Sequence, residues 1–313
     1  MEKKIDNQSL GILAALGAYI IWGFLPLYWK LLNHVSAGEV LAHRVIWSLV
    51  LMIVILLLSG QFRSFIKEVK VIFSTKKQLL LMFLAALFIS LNWFTFIWAV
   101  TNEMLVETSL GYYINPLISV VIGLFIFKEK LTRYQIISFS LAAIGVLILV
   151  IYTGGIPLIS LILAFSFAFY GAIKKMSKVS ALTGLAVETL MVTPFALLYL
   201  TIIHTSIRDA FYFQSEATLG LLIGAGAATA IPLLLFAIGA RRIPLSMIGF
   251  LQYLAPTIML VIGVFLYGET FSKSHLFAFS FIWAGLAIYT FSKSKLLNRT
   301  QQLEPEKQKR PAS

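Results

Sequence analysis

A chain of 313 residues that is 59% hydrophobic and 12% charged, with a mean hydropathy of +0.91, lies outside the range of soluble globular domains and reads as an integral membrane protein. The absence of cysteine excludes disulfides, thiolate metal sites and cysteine nucleophiles. The net charge of +12 would suit nucleic acid, but basic residues of membrane proteins gather on cytoplasmic loops, so their placement decides the matter.

Apolar runs of about 20 residues, enough to cross a bilayer core, give ten predicted spans. The first, Leu10 to Trp29, holds Tyr19, Trp22 and Pro26. The "MEKK" before it resembles the start of a signal peptide, yet the run continues to spanning length and is read as a retained helix. Val40 to Leu58 carries His43 and Arg44. The link from Gln61 to Lys77 sets Phe62, Phe65, Ile66, Val69 and Phe73 against Arg63, Lys67 and Lys70, the pattern of an amphipathic helix on the cytoplasmic surface. Gln78 to Val100 contains Asn92, Trp93 and Trp98, and Leu105 to Phe127 contains Glu107, Tyr112, Tyr113, Asn115 and Pro116. Tyr134 to Ile151 and Pro157 to Ile173 follow, then Ala181 to Ile203 with Glu188. Ala217 to Ile238 bears a small-residue stripe of Gly220, Gly224 and Ala228, suited to close helix packing. Leu245 to Tyr267 holds Gln252, Tyr253 and Pro256, Ser274 to Ser292 is the last span, and the polar tail 293–313 is expected to be disordered.

With the amino terminus placed inside, 21 of the 25 basic residues fall on inside segments, among them Lys174, Lys175 and Lys178. Three lie outside (Lys30, Arg208, Lys273) and Arg44 alone is left within a span. One missed helix would interchange every later loop, so this asymmetry supports ten spans with both termini cytoplasmic. The basic charge encodes topology, and nucleic acid is not an expected partner.

The sequence also repeats. At an offset of 140, Tyr113 to Gly145 aligns without a gap to Tyr253 to Gly285, with 11 identities in 33 positions that include Pro116/Pro256, Glu129/Glu269 and Gly145/Gly285. A weaker match at offset 144 pairs "VSA" at 35–37 with "VSA" at 179–181. The fold class is therefore all-α integral membrane, ten transmembrane helices built as two five-helix repeats (10–151 and 157–292). Five is odd, so the second copy enters the membrane inverted. Secondary transporters are often built this way and bind substrate near the midplane between the halves.

Read at that depth, the candidate substrate-binding residues are Trp22, Arg44, Asn92, Trp93, Glu107, Tyr112, Tyr113, Asn115, Glu188, Gln252 and Tyr253, with Pro26, Pro116 and Pro256 as hinges. Each proline removes a backbone donor and frees a carbonyl that lipid cannot satisfy; the alternative is that the prolines bend helices to fit neighbours. Trp29 and Trp98 read as interfacial anchors, Trp22 and Trp93 as packing or cavity wall, and Asn92 equally as interhelical glue. A charged side chain near the centre of a span costs about 2.5–3.5 kcal/mol on insertion scales. Arg44 and Glu188 lie at depths differing by roughly 9 Å, within reach of a long side chain, and correspond at offset 144. They are expected to face each other across a cavity, with Glu107, substrate or headgroups as other partners for Arg44. His43 and Glu188 are candidate carriers of a coupling proton.

No Walker A, HExxH or GxSxG pattern is present, so neither an enzyme nor an ATP-driven pump is indicated, and no metal or cofactor is expected. The surviving classes are a secondary transporter and a non-transporting scaffold or sensor. The segments "AYIIWGFLPLYWK", "AHRVIWS", "NWFTFIWAV", "ETSLGYYINP", "LAFSFAFYG", "GFLQYLAPT", "YGE" and "FAFSFIWAGLAIY" resemble the RarD group in the EamA branch of the drug/metabolite transporter superfamily, from about Gly11 to Tyr289. That resemblance implies ten helices in two EamA-type units, a bacterial cytoplasmic membrane and small-molecule transport without ATP. A monomer or homodimer is expected, with a small-molecule substrate and the lipid bilayer as partners.

Overall fold

The computed structural model describes residues 7–102, 104–153, 158–204, 215–268 and 273–307, leaving aside the side chains at 97, 100–101, 105–107, 109, 153, 274 and 292–307. All the secondary structure among them is helical: α1 (Asn7–Lys30), α2 (Ala37–Leu58), α3 (Phe62–Ser74), α4 (Lys76–Thr101), α5 (Leu105–Phe125), α6 (Arg133–Thr153), α7 (Leu158–Met176), α8 (Ala181–Ile203), α9 (Glu216–Ala240), α10 (Leu245–Gln252), α11 (Leu254–Tyr267) and α12 (Lys273–Lys307). Eight segments are long and apolar enough to cross a membrane, with α10 and α11 counted together, and Leu110–Phe125 and His275–Phe291 are shorter apolar stretches. Phe125, Phe195 and Phe265 are among many large apolar side chains on the outer surface, which suits a lipid-facing exterior.

Three local features recur at the repeat spacing. Ser36 and Ser180, 144 residues apart, cap α2 and α8, each hydroxyl accepting from the backbone three residues on, Glu39 N at 3.3 Å and Thr183 N at 3.2 Å, as helix starts favour. Lys128 and Gly268, 140 apart, both adopt the left-handed backbone, at φ 52° and 67°. Gly145 and Gly285 form one reciprocal contact between α6 and α12. A Cβ on Gly145 would lie 2.5 Å from Ala278 O, and one on Gly285 would lie 2.7 Å from Ser138 O.

The remaining packing is tight and mixed in direction: α1 on α9, α4 on α7 and α2 on α8 run antiparallel, while α2 on α9, α5 on α7 and α1 on α11 run parallel. α2 lies on α9, where Ser48 Oγ donates to Gly226 O at 3.0 Å and a Cβ on Gly226 would clash with the backbone of Trp47. α4 and α5 pack on α7, α1 on α9 and α11, α2 on α8, and α10 on α5. Of the predicted stripe, Gly224 makes a close contact, a Cβ there meeting the Tyr28 hydroxyl at 2.6 Å, while nothing lies within 4 Å of a Cβ on Gly220; the close contact with α2 falls beside the stripe, at Gly226.

The prolines expected as hinges sit in two settings. Pro26 and Pro116 sit inside continuous helices, whereas the segment with Pro256 divides at Tyr253. Pro256 offers no N–H to the carbonyl of Gln252 four residues back, so the helix can end there. The polar stretch after Ser292, expected to be disordered, is helical in its described part, because α12 continues to Lys307. Its Leu, Gln, Glu and Lys residues are good helix formers and extend an existing helix without a nucleation cost.

Candidate functional site

Five helices deliver side chains to one point. Arg44 of α2 is half-buried, and its Nε donates to Thr229 Oγ1 of α9 at 2.8 Å. The guanidinium carbon stands 4.6 Å from the ring centroid of Trp29 on α1 and 5.6 Å from that of Trp93 on α4. Tyr112 of α5 lies near enough to interact electrostatically with Arg44 and packs on Phe96 at 6.2 Å. Local packing sets this geometry: the Gly226 contact and the Ser48 bond seat α2 on α9, which runs parallel to it, and the long Arg44 side chain extends along the pair to Thr229. Ring faces accept a cation but leave the guanidinium's in-plane donors for a planar anion.

A second polar group surrounds the helix break. Asn115 Nδ2 donates to Ala164 O of α7 at 2.9 Å, and its Oδ1 accepts from Gln252 Nε2 at 2.5 Å. Ser119 Oγ donates to Gln252 Oε1 at 3.0 Å, and Tyr113 OH to Pro256 O at 3.2 Å. Asn92 Nδ2 donates to Leu163 O at 2.9 Å and Ser166 Oγ at 3.0 Å, tying α4 to α7. Asn92, Asn115 and Gln252 thus join helices, and Tyr253 is buried in the same core. Asn115→Leu is expected to destabilise the fold by about 1–3 kcal/mol, because it strands the Gln252 amide in an apolar interior; thermal unfolding in detergent measures it.

Glu188 is elsewhere, and the expected pair with Arg44 is not formed. Its Oε1 binds Lys174 Nζ at 2.6 Å, with both side chains buried, and its Oε2 accepts from Tyr170 OH at 3.1 Å. Lys174, expected on an inside loop, lies in the last turn of α7, and the short turn to α8 brings it beside Glu188. A neighbouring hairpin partner therefore takes the carboxylate that depth alone had matched to Arg44. Tyr170 in turn stacks on Phe236, centroids 6.0 Å apart, in an aromatic cluster with Tyr19, Trp22 and Phe167. Trp22 belongs to that cluster, away from the residues around Arg44. His43 is buried, and the Glu107 side chain is outside the described residues.

The two ends of the bundle carry separate polar closures. At the Lys30 end, His204 Nε2 meets Glu39 Oε1 at 3.0 Å, and His34 Nε2 meets Thr218 Oγ1 at 3.0 Å. At the Lys174 end, Glu129 accepts from Leu245 N at 2.7 Å and Ser246 N at 2.9 Å, a carboxylate at the start of α10 where the helix dipole favours it. Glu68 of α3 accepts from Ser180 N and Oγ, both at 2.8 Å. Arg241, just past α9, is held below its usual range by burial and by its neighbour Arg242, against the opposing pull of Glu68. Among the described residues no three His, Cys, Asp or Glu side chains gather as a metal site.

Trp29, Thr229, Lys174 and Tyr170 belong to the polar and aromatic clusters without being expected there from sequence. Tyr170 alone had a signal: "YIIWG" at 19–23 and "FAFYG" at 167–171 share aromatic-x-x-aromatic-Gly, and both enter the aromatic cluster.

Comparison with known proteins agrees with this architecture. The EamA-like transporter family matches residues 9–151 and again 154–291. The uncharacterized transporter YojE of Bacillus subtilis (strain 168) is 48% identical over 288 residues, 91% of this chain and 95% of that protein. Protein RarD of Escherichia coli (strain K12) is 41% identical over 303 residues, 96% of this chain and 100% of that protein. A chloramphenicol-sensitive protein RarD of Pseudomonas aeruginosa is 28% identical over 297 residues, 95% of this chain and 98% of its own. A solved crystal structure shares the fold at a TM-score of 0.69 and 18% identity, covering 91% of this chain and 98% of its own.

Proposed function

Because the chain belongs to the EamA-like transporter family, as a RarD-type member, we propose that this multi-pass membrane transporter moves a small metabolite or drug-like solute bearing a carboxylate, by alternating access and with a proton gradient rather than ATP. The observation that carries the reading is Arg44, a cation within an apolar span that, among the described residues, bonds a neutral hydroxyl and faces two aromatic rings. Five helices meet there, four from the first half and α9 from the second, so an anion bound at Arg44 touches both halves at once.

Alternating access draws support from the recurring features. Ser36/Ser180, Lys128/Gly268 and Gly145/Gly285 behave alike in pairs, and the family match falls twice along the chain. Exchanging the halves also turns the packing of α4 and α5 on α7 into that of α9 and α11 on α1. These regularities favour two inverted five-helix units, 10–151 and 157–292, giving ten spans with both termini cytoplasmic. The bacterial cytoplasmic membrane is the proposed site of action.

Reconstitution into liposomes with an imposed pH gradient, screening labelled amino acids and amphenicols, tests the reading. Saturable flux that collapses when the gradient is dissipated is expected. No flux for any solute, together with a stable complex with another membrane protein, would favour the scaffold alternative.

A further inference from the structure

Lys174, Glu188 and Tyr170 form a site distinct from that around Arg44. A buried ion pair is a poor stabiliser, since an apolar pair of similar volume often holds helices equally well or better. The pair is tolerated because its charges cancel. Removing one charge leaves the other buried and uncompensated, at a large cost, and protonation of the carboxylate does that to Lys174. The stranded ammonium has a near exit. Lys174 lies two residues before the end of α7, and a narrow recess lined by Lys174, Ser177, Ser180, Gly184 and Arg241 adjoins it. Gly184 borders the ion pair: a Cβ there would lie in van der Waals range of Lys174 Nζ and Glu188 Oε1.

We propose that Glu188 is the proton-binding group through which a pH gradient drives the transporter, with Lys174 as its counter-ion and Tyr170 as its link to the aromatic cluster. A proton from water joins the Glu188 carboxylate, the Lys174 bond breaks, and the Lys174 end of the bundle opens as the ammonium moves to solvent. Loss of the proton restores the carboxylate and recloses that end. Tyr170, which donates to Glu188 while stacking on Phe236, carries the change to α9, and through Trp22 to α1. The other charged or titratable groups near the site are Arg241 after α9, which lines the same recess, Glu68 of α3 on Ser180, and Lys175 of α7, 3.7 Å from Glu129; α4 contributes the neutral Gln78, which accepts from Lys178 N at 3.3 Å. This inference rests on the transporter reading above.

The natural absence of cysteine makes single-cysteine reporters clean. Ser177→Cys and Thr218→Cys, buried at opposite ends, are reconstituted separately and labelled with a membrane-impermeant maleimide across mildly acidic to mildly alkaline pH. The ratio of the two rates cancels the thiol's own pH dependence. Acidification is expected to raise the Ser177→Cys to Thr218→Cys ratio about fivefold or more, the lower end of typical coupling between linked sites. Adding Glu188→Gln should fix the ratio near its acidic value. The double change Lys174→Met with Glu188→Gln, which leaves no stranded charge, should fold and be insensitive to pH. A ratio constant with pH in the parent reporters overturns the proposal. So does a shift that survives Glu188→Gln, or one that vanishes instead with His204→Gln, which would place the switch at the Glu39 contact. Reporters that respond to pH equally with and without Glu188 leave alternating access standing while removing this site; reporters that respond neither to pH nor to any transported solute remove both.

Discussion

Arg44→Ala is expected to abolish gradient-driven flux, by roughly a hundredfold or more, without unfolding the chain. Losing one partner of a desolvated, hydrogen-bonded charge pair costs about 2–5 kcal/mol, and in this reading the other partner is the solute's carboxylate. Stability should move differently. Removing the guanidinium forfeits the bond to Thr229 and the contacts with Trp29 and Trp93, worth about 0.5–2 kcal/mol for each cation–π contact. Against that, it relieves the cost of holding a charge among apolar helices, about 2.5–3.5 kcal/mol on insertion scales. The two nearly cancel, so the melting temperature in detergent should change little while liposome flux disappears. Arg44→Lys keeps the charge but loses the planar fork and should retain partial flux. Loss of melting temperature parallel to loss of flux would make Arg44 a packing residue.

Gly145→Val is expected to be the most damaging single change to the fold, costing more than about 3 kcal/mol, beyond the usual 1–3 kcal/mol of an overpacked core. Alanine is a fairer contest, because Gly to Ala in a helix gains up to about 1 kcal/mol in propensity. At this position the new Cβ meets the backbone oxygen of Ala278 at 2.5 Å, and a backbone atom cannot swing aside as a side-chain tip can. Valine brings two further methyl groups and no comparable propensity gain. The whole of α6 must then move off α12. Gly285→Val should behave alike, and the double variant should cost less than the sum, since the first already separates the helices. Thermal unfolding of the two single variants and the double checks both statements.

How much of this was legible in the sequence depends on the kind of force involved. Span positions follow from hydropathy, and the eight long apolar helices fall where the apolar runs predict. Arg44 announced itself as a charge in an apolar run. Trp29 did not, because a tryptophan at a helix end reads as a headgroup anchor, and nothing in "AATAIP" sets Thr229 apart from its neighbours. Lys174 was hidden by Lys175: a basic doublet at the end of an apolar run looks like a loop, although helical spacing turns the two residues apart and buries the first. The Tyr-x-x-Pro pattern occurs at both Tyr113 and Tyr253, yet α5 continues through it while the second copy breaks. Local sequence cannot separate the two; the difference is tertiary.

The two pieces on either side of Tyr253 have different neighbours. α10 is fastened to the α5 side at both ends, by Glu129 at its start and by Asn115 at Gln252, while α11 packs chiefly on α1, with Gly23 set against Ile258. A single span is thereby shared between two mechanical units. Displacement of α1 relative to α5 becomes torsion about one residue, at a level where Pro256 supplies no helical hydrogen bond to resist it. Such a joint turns without dismantling either helical piece.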